Sequence, residues 1–136
     1  MAKSHRKRLS RSEERELDIE IRFMEGLLRR DPEDVEVLEI LGEDYTRRGR
    51  FEDGLRVDQQ LARLRPEDPT VLYNLACSYA LTDQPEEAYH TLNRAIDCGY
   101  RDFRWLERDP DLEPFRQHPL YQRLRRRIRR LRAAAR

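Results

Sequence analysis

Apolar side chains recur at helical spacing along this chain, and the pattern predicts helices from about residue 12 to residue 132 and no strand. The first helix is indicated by one continuous apolar stripe, which consists of Leu17, Ile21, Met24 and Leu28. Ser10 and Glu13 have the spacing of a capping box and predict where this helix begins. The last helix is predicted to begin at Pro119 and carries a similar stripe of Leu120, Leu124, Ile128 and Leu131.

Between these two helices, a pattern of apolar and small residues occurs twice, with a separation of 34 residues. The second copy has Leu72, Leu75, Ala76 and Tyr79 where the first has Leu38, Leu41, Gly42 and Tyr45. Each copy predicts two helices: 33–48 and 51–64 around a turn at Gly49, then 70–81 and 86–97 around a turn at Asp83–Pro85. Small residues allow helices to approach closely, so Gly42 and Ala76 are predicted to be buried where the paired helices touch.

A 34-residue period of helix, turn and helix resembles the tetratricopeptide repeat family. The resemblance covers roughly residues 12–98 and implies an all-α, right-handed α-solenoid. It divides the chain into a basic disordered tail (1–11), a capping helix (12–31), repeat one (32–68), repeat two (69–102), a short helical segment (103–118) and an arginine-rich terminal helix (119–136). The segment after residue 100 resembles one that often follows such repeats in bacterial proteins. Asp58 departs from the family, which usually has a large apolar residue there, and this leaves open a loosened contact or a more exposed face.

The resemblance also implies a concave groove lined by the first helix of each repeat. Its lining residues are expected to be Glu36, Glu39, Ile40, Glu43, Thr46 and Arg47 from repeat one, and Thr70, Tyr73, Asn74, Cys77, Ala80 and Leu81 from repeat two. The three glutamates form an acidic stripe beside a more apolar patch made by Tyr73, Cys77, Ala80 and Leu81. Such a surface suits a basic or basic–apolar peptide, whereas a solvated charged face is the alternative interpretation.

Family members that clamp a C-terminal carboxylate use a Lys and two Asn along this surface. In this chain only Asn74 matches, and Glu39 and Glu43 occupy the places of the Lys and the first Asn. A carboxylate clamp is therefore not expected, because the glutamates would repel a terminal anion.

The formal net charge of +1 hides a strong separation of charge along the chain. All 27 acidic residues lie between Glu13 and Glu113, together with 14 arginines, whereas residues 116–136 contain nine arginines and no acid. The terminal helix could therefore contact a polyanion, and the candidate residues are Arg123, Arg126, Arg127 and Arg130. A solubilising helix and a contact with the acidic body of the same or another copy are the alternatives.

Catalytic chemistry has little support in the sequence. His5, His90 and His118 are far apart and not in a nucleophile motif, and there is no glycine-rich phosphate loop or metal-ligand cluster. The prolines of DPDLEP (109–114) indicate a break between helices. Cys77 and Cys98 do not have the spacing of a metal site. No apolar run approaches the roughly 20 residues of a membrane span.

The sequence thus predicts a cytoplasmic, non-catalytic protein-binding scaffold without metal or cofactor. Its rivals are a nucleic-acid- or ribosome-associated protein that binds through its basic termini, and a self-assembling structural module.

Overall fold

A computed structural model describes residues 8–135 of the chain and shows an all-helical protein, with no strand in that range. The helices are α1 (Arg11–Arg30), α2 (Val35–Arg48), α3 (Phe51–Leu64), α4 (Pro69–Leu81), α5 (Pro85–Asp97), α6 (Phe103–Leu106), α7 (Glu113–Arg116) and α8 (Leu120–Ala134). A single 3-10 turn, Pro110–Leu112, precedes α7. The all-α fold class predicted from the apolar pattern is confirmed.

The predicted capping box forms at the start of α1. Ser10 Oγ accepts a hydrogen bond from the Glu13 amide at 3.1 Å, and Glu13 Oε1 accepts one from the Ser10 amide at 2.9 Å. Most of the predicted disordered tail, residues 1–7, lies outside the described residues. The predicted end of this tail at residue 11 is wrong, because Arg11 is already helical and Leu9 packs against the core. The local cap and this apolar contact order the chain earlier than the charge pattern indicated.

The middle of the chain forms two helical hairpins, α2–α3 and α4–α5, whose corresponding helices begin 34 residues apart. Gly49 ends α2 with a φ of 83°, a conformation that glycine adopts without steric cost. The second turn contains Asp83 with a φ of 59°, and Pro85 is the first residue of α5. Both predicted turns are confirmed. Helix α2 begins two residues later than predicted because the Asp34 side chain caps it by accepting from the Val37 amide.

Two apolar clusters form the core. The first joins α1 to the α2–α3 hairpin through Ile21, Leu38 and Leu41, which are all fully buried. The second joins α4 and α5 to the C-terminal segment. Gly42 is buried and Ala76 has no exposed surface, as predicted. Close contact between paired helices therefore depends on small residues at the equivalent position of each hairpin.

Asp58 is buried, with 7% of its surface exposed, so neither a loosened contact nor an exposed face describes it. Its Oδ2 atom accepts a 2.5 Å hydrogen bond from the Ser78 hydroxyl, which links α3 to α4. Its Oδ1 atom lies so close to Gly42 that a Cβ at that position would be only 2.9 Å away. Burial raises the pKa of Asp58 to about 6, against the opposing effect of the Ser78 hydrogen bond.

The chain after α5 folds back onto the second hairpin. The 3-10 turn and α7 pack against α4, while α8 packs against α5. Leu112, Phe115, Leu124 and Ile128 are almost completely buried in this contact. The apolar stripe predicted for the last helix therefore docks on the body, and the turn before α7 reaches the inner face of α4.

Candidate partner-binding groove

A groove of about 580 Å³ lies between α2 and α4 and is bounded on one side by the segment from Trp105 to Asp111. Its lining includes nine of the twelve groove residues named from the sequence: Glu39, Glu43, Thr46, Arg47, Thr70, Tyr73, Asn74, Cys77 and Leu81. The other three do not line it: Glu36 and Ile40 are exposed on α2, and Ala80 is buried.

The α2 wall of the groove is acidic. Glu39 and Glu43 lie one helical turn apart, and both are exposed. Arg47 follows one turn later and is the only basic residue in the lining. Asp68 at the opposite edge is already engaged, because its side chain accepts from the Thr70 and Val71 amides and caps α4. The exposed charges that the groove offers to a ligand are therefore the two glutamates and Arg47.

The sequence predicted an apolar patch on α4 that a ligand could contact. This prediction is wrong for Tyr73, Cys77 and Ala80, which have at most 7% of their surface exposed. The Tyr73 ring stacks on Tyr100 with a centroid distance of 4.4 Å and an interplanar angle of 8°. Its hydroxyl donates to Asp109 Oδ2 at 2.7 Å. The chain's own C-terminal segment thus covers the surface that repeat spacing assigned to an apolar ligand.

Asp109 is the buried residue that closes this side of the groove, and the sequence did not identify it as part of a site. Its Oδ1 atom accepts from the Asp111 amide at 2.9 Å and caps the 3-10 turn, so the expected break between helices is present. Its Oδ2 atom accepts from Tyr73 and, at 3.7 Å, from the Cys77 thiol. The Asp–Pro pair was the visible signal, but it reveals only the turn and not the tertiary contact.

Trp105 also lines the groove and was missed as a site residue. It is the only tryptophan of the chain, and 44% of its surface is exposed. The other apolar residues of its helix are buried. Leu81 on α4 is half-buried and is likewise in the lining. These two side chains provide the accessible apolar surface that remains.

The Cys77 thiol and the Tyr73 hydroxyl at the base of the groove are held in their neutral forms. Burial, reinforced by the charge of Asp109, raises the pKa of the Cys77 thiol well above its usual value. Burial also raises the pKa of the Tyr73 hydroxyl. A reactive cysteine needs a lowered pKa and access to solvent, so Cys77 does not have the environment of a nucleophile. Within residues 8–135, no group of three or more His, Cys, Asp or Glu side chains could hold a metal ion.

The arginines of α8 fall into two groups. Arg127 is engaged with the body, because it donates to Asn93 Oδ1 at 2.8 Å and to Asp97 Oδ1 at 2.5 Å. Arg123 lies over the Tyr89 ring, 5.5 Å from its centroid. Arg126 and Arg130 are exposed and make no ion pair with another described residue. Of the four candidate polyanion contacts, Arg127 is therefore already paired with α5. Arg123 lies over an aromatic ring, and Arg126 and Arg130 are exposed to solvent.

None of the helices within the described range has both the length and the apolar character required to cross a membrane.

No protein-family model matches the chain. The chain is similar to a curated chloroplastic protein from Arabidopsis thaliana, with 34% identity over 79 residues. The matched part is 56% of this chain but only 24% of the relative, so the chain spans about a quarter of that protein's length.

Proposed function

We propose that this chain is a non-catalytic protein-interaction module of the tetratricopeptide-repeat type, a short right-handed α-solenoid that binds a basic segment of a partner protein. The 34-residue offset between the two hairpins and the buried small residues at equivalent positions support the repeat assignment. Such repeats bind partners on the face formed by their first helices, which here are α2 and α4. The proposed binding site is the groove between them.

The observation that carries the proposal is an acidic wall opposite an exposed tryptophan in one groove. Glu39 and Glu43 can pair with one or two basic side chains, while Trp105 and Leu81 can pack against an apolar one. Because the terminal segment fills the space over Tyr73 and Cys77, the apolar anchor is expected at Trp105. An Arg or Lys near that ring would gain an additional cation–π contact.

Intrinsic fluorescence tests the proposal directly, because Trp105 is the only tryptophan and lies in the groove. We expect a short peptide with two arginines and two leucines to change the emission of Trp105 in a saturable manner. A peptide with glutamates in place of the arginines should not do so. Raising the salt concentration from about 50 to 500 mM should weaken binding, since the charges are exposed to solvent.

The matched variants reverse two glutamates inside or outside the groove. Glu39→Lys with Glu43→Lys should reduce the affinity for the basic peptide at least about tenfold, which corresponds to about 1.4 kcal/mol. Glu33→Lys with Glu36→Lys makes the same change in net charge at two exposed positions outside the lining and should retain most of the affinity. Equal affinity for both double variants would show that the groove is not the binding site.

We propose a second function, polyanion binding by α8, because Arg126 and Arg130 are exposed on a helix that is firmly docked. Docking offsets the self-repulsion that would otherwise weaken so basic a helix and presents the arginines on a rigid surface. Nucleic-acid affinity should fall with the logarithm of salt concentration, with a slope of about −0.7 to −0.9 per phosphate neutralised. Arg126→Glu with Arg130→Glu should abolish this binding, whereas Arg63→Glu with Arg65→Glu, on α3 and after it, should not. Equal binding by both double variants would exclude α8 as the contact.

We propose the cytoplasm as the compartment. Cys77 and Cys98 are free thiols, which suits a reducing environment. Fractionation of cells that express a tagged full-length protein would test this assignment, and recovery of the tag in an oxidising compartment would contradict it.

A further inference from the structure

The outward face of α1 carries two large apolar side chains that no described residue covers. Ile19 is 60% exposed and Phe23 is 62% exposed, and they lie one helical turn apart. The opposite stripe of α1 packs on α2 through Leu17 and Ile21. A terminal helix in an array of stacked helices usually has a polar outer face. This helix therefore covers the first hairpin but presents a second apolar stripe of its own.

Charges of opposite sign border this stripe on its two sides. At 100° per residue, Arg15 and Arg22 fall along one edge of Ile19 and Phe23, and Glu16 and Glu20 fall along the other. All four side chains are exposed, and none makes an ion pair with another described residue. The face thus consists of an apolar centre with one basic edge and one acidic edge.

A buried carboxylate lies behind the acidic edge. Asp44 of α2 has 5% of its surface exposed, and its Oδ2 atom has no hydrogen-bond partner among the described residues. The charged groups facing it are Glu20 from α1 and Glu43 and Arg47 from α2. Burial, followed by contact with Glu20, raises the pKa of Asp44 to about 7. Asp44 and Glu20 are thus two neighbouring carboxyl groups, and a cation next to the exposed Glu20 would reduce the repulsion between them.

We propose that this face of α1 is the interface of a two-fold symmetric dimer, in which α1 of a second copy covers Ile19 and Phe23 in a roughly parallel orientation. In a parallel pair the basic edge of each helix faces the acidic edge of the other, whereas an antiparallel pair would bring like edges together. The arginine edge of the second copy then lies beside Glu20 and Asp44. The face is complementary to itself in both apolar surface and charge.

The small apolar centre limits the strength of this dimer. Stable complexes bury about 800 Å² per partner, and two exposed apolar side chains supply only part of that. The dissociation constant is therefore expected to be roughly micromolar to millimolar, which makes the oligomeric state depend on concentration.

Sedimentation velocity of the full chain from about 1 µM to about 1 mM should show a monomer converting into a dimer. Phe23→Glu should remain monomeric throughout, and its helical circular dichroism should be unchanged because Phe23 is exposed. Trp105→Glu is the matched control, with the same change at an exposed aromatic residue in the groove, and should still dimerise. A wild-type chain that stays monomeric at every concentration, or a Phe23→Glu variant that still dimerises, would overturn the proposal.

A mixing experiment tests the charge complementarity. Arg15→Glu with Arg22→Glu makes both edges acidic, and Glu16→Lys with Glu20→Lys makes both edges basic. Each double variant alone should be monomeric, and an equimolar mixture should recover the dimer. Failure of the mixture to associate would overturn the assignment of the two edges. The dimer test is separable from the groove proposal, because Phe23→Glu should still bind the basic peptide and Trp105→Glu should bind it poorly.

Discussion

The Tyr73 hydroxyl donates a 2.7 Å hydrogen bond to Asp109 Oδ2, and this buried contact joins α4 to a turn 36 residues later in the chain. It holds the C-terminal segment on the inner face of the second hairpin. The groove is consequently narrower than two exposed helices would make it. Its exposed lining includes Glu39 and Glu43 on one side and Trp105 on the other.

Tyr73→Phe should lower the free energy of unfolding by about 1–3 kcal/mol, because it leaves the buried Asp109 Oδ2 with only a weak thiol donor. The matched control is Tyr89→Phe, at a half-buried tyrosine whose ring packs beside His90, where we expect a change below about 0.5 kcal/mol. Urea unfolding followed by circular dichroism measures both. Equal effects of the two variants would show that the Asp109 contact does not stabilise the fold.

Gly42→Ala should destabilise the protein by about 1–3 kcal/mol through overpacking, although alanine is the better helix former by roughly 1 kcal/mol. The added Cβ would lie 2.9 Å from Asp58 Oδ1, so a buried carboxylate would have to move. In Gly26→Ala the nearest atom is Arg29 Nη2 at 3.7 Å, which is an ordinary contact. That control should be neutral or stabilising. A higher melting temperature for both variants would contradict the tight contact between α2 and α3.

The stability of the Asp58→Asn variant relative to wild type should be greater at neutral pH than at pH 4. The unfolded chain releases this proton near the usual pKa of 3.8, while burial raises the folded pKa to about 6. Between these values the unfolded state binds fewer protons, so the free energy of unfolding of the wild type falls as pH rises. The asparagine cannot ionise, and its carbonyl can still accept from Ser78.

The difference in unfolding free energy between Asp58→Asn and wild type should therefore shift by about 2–3 kcal/mol in favour of the variant from pH 4 to pH 7. Denaturant unfolding at several pH values measures this shift. Asp83→Asn makes the same chemical change at an exposed turn residue and should give a nearly constant difference. A constant difference for Asp58→Asn as well would mean that its carboxyl ionises normally in the folded state.

Arg127→Ala should weaken the docking of α8 and lower the free energy of unfolding by about 1–2 kcal/mol, because it removes charge-assisted hydrogen bonds to Asn93 and Asp97. Arg126→Ala, one residue earlier and exposed, should change it by less than about 0.5 kcal/mol. Thermal unfolding compares the two variants. Polyanion binding should show the opposite order, with the larger loss at Arg126. The same ranking in both assays would argue against separate structural and binding arginines.

Local features of the chain were accessible from the sequence. The Ser10 capping box, the left-handed turn at Gly49 and the proline at the start of α5 depend on interactions within about four residues, so spacing alone predicts them. Burial of Gly42 and Ala76 followed from the internal repetition of the same small position. Periodic apolar residues likewise determined that the chain is helical and which stripe of the last helix is apolar, but they left open whether that stripe docks on the body.

The long-range partners of the polar residues were decided only by the tertiary structure. Asp58 became a buried partner of Ser78, 20 residues away, and Arg127 was distinguished from Arg126 by its partners 30 and 34 residues away on α5. Such pairs depend on how helices pack, and a charged residue looks the same in the sequence whether it is solvated or engaged. The sequence by itself determined the helices and the turns, and it placed acidic residues along the exposed face of α2. The tertiary structure decided which part of that groove remains open, because only folding brings Asp109 onto Tyr73.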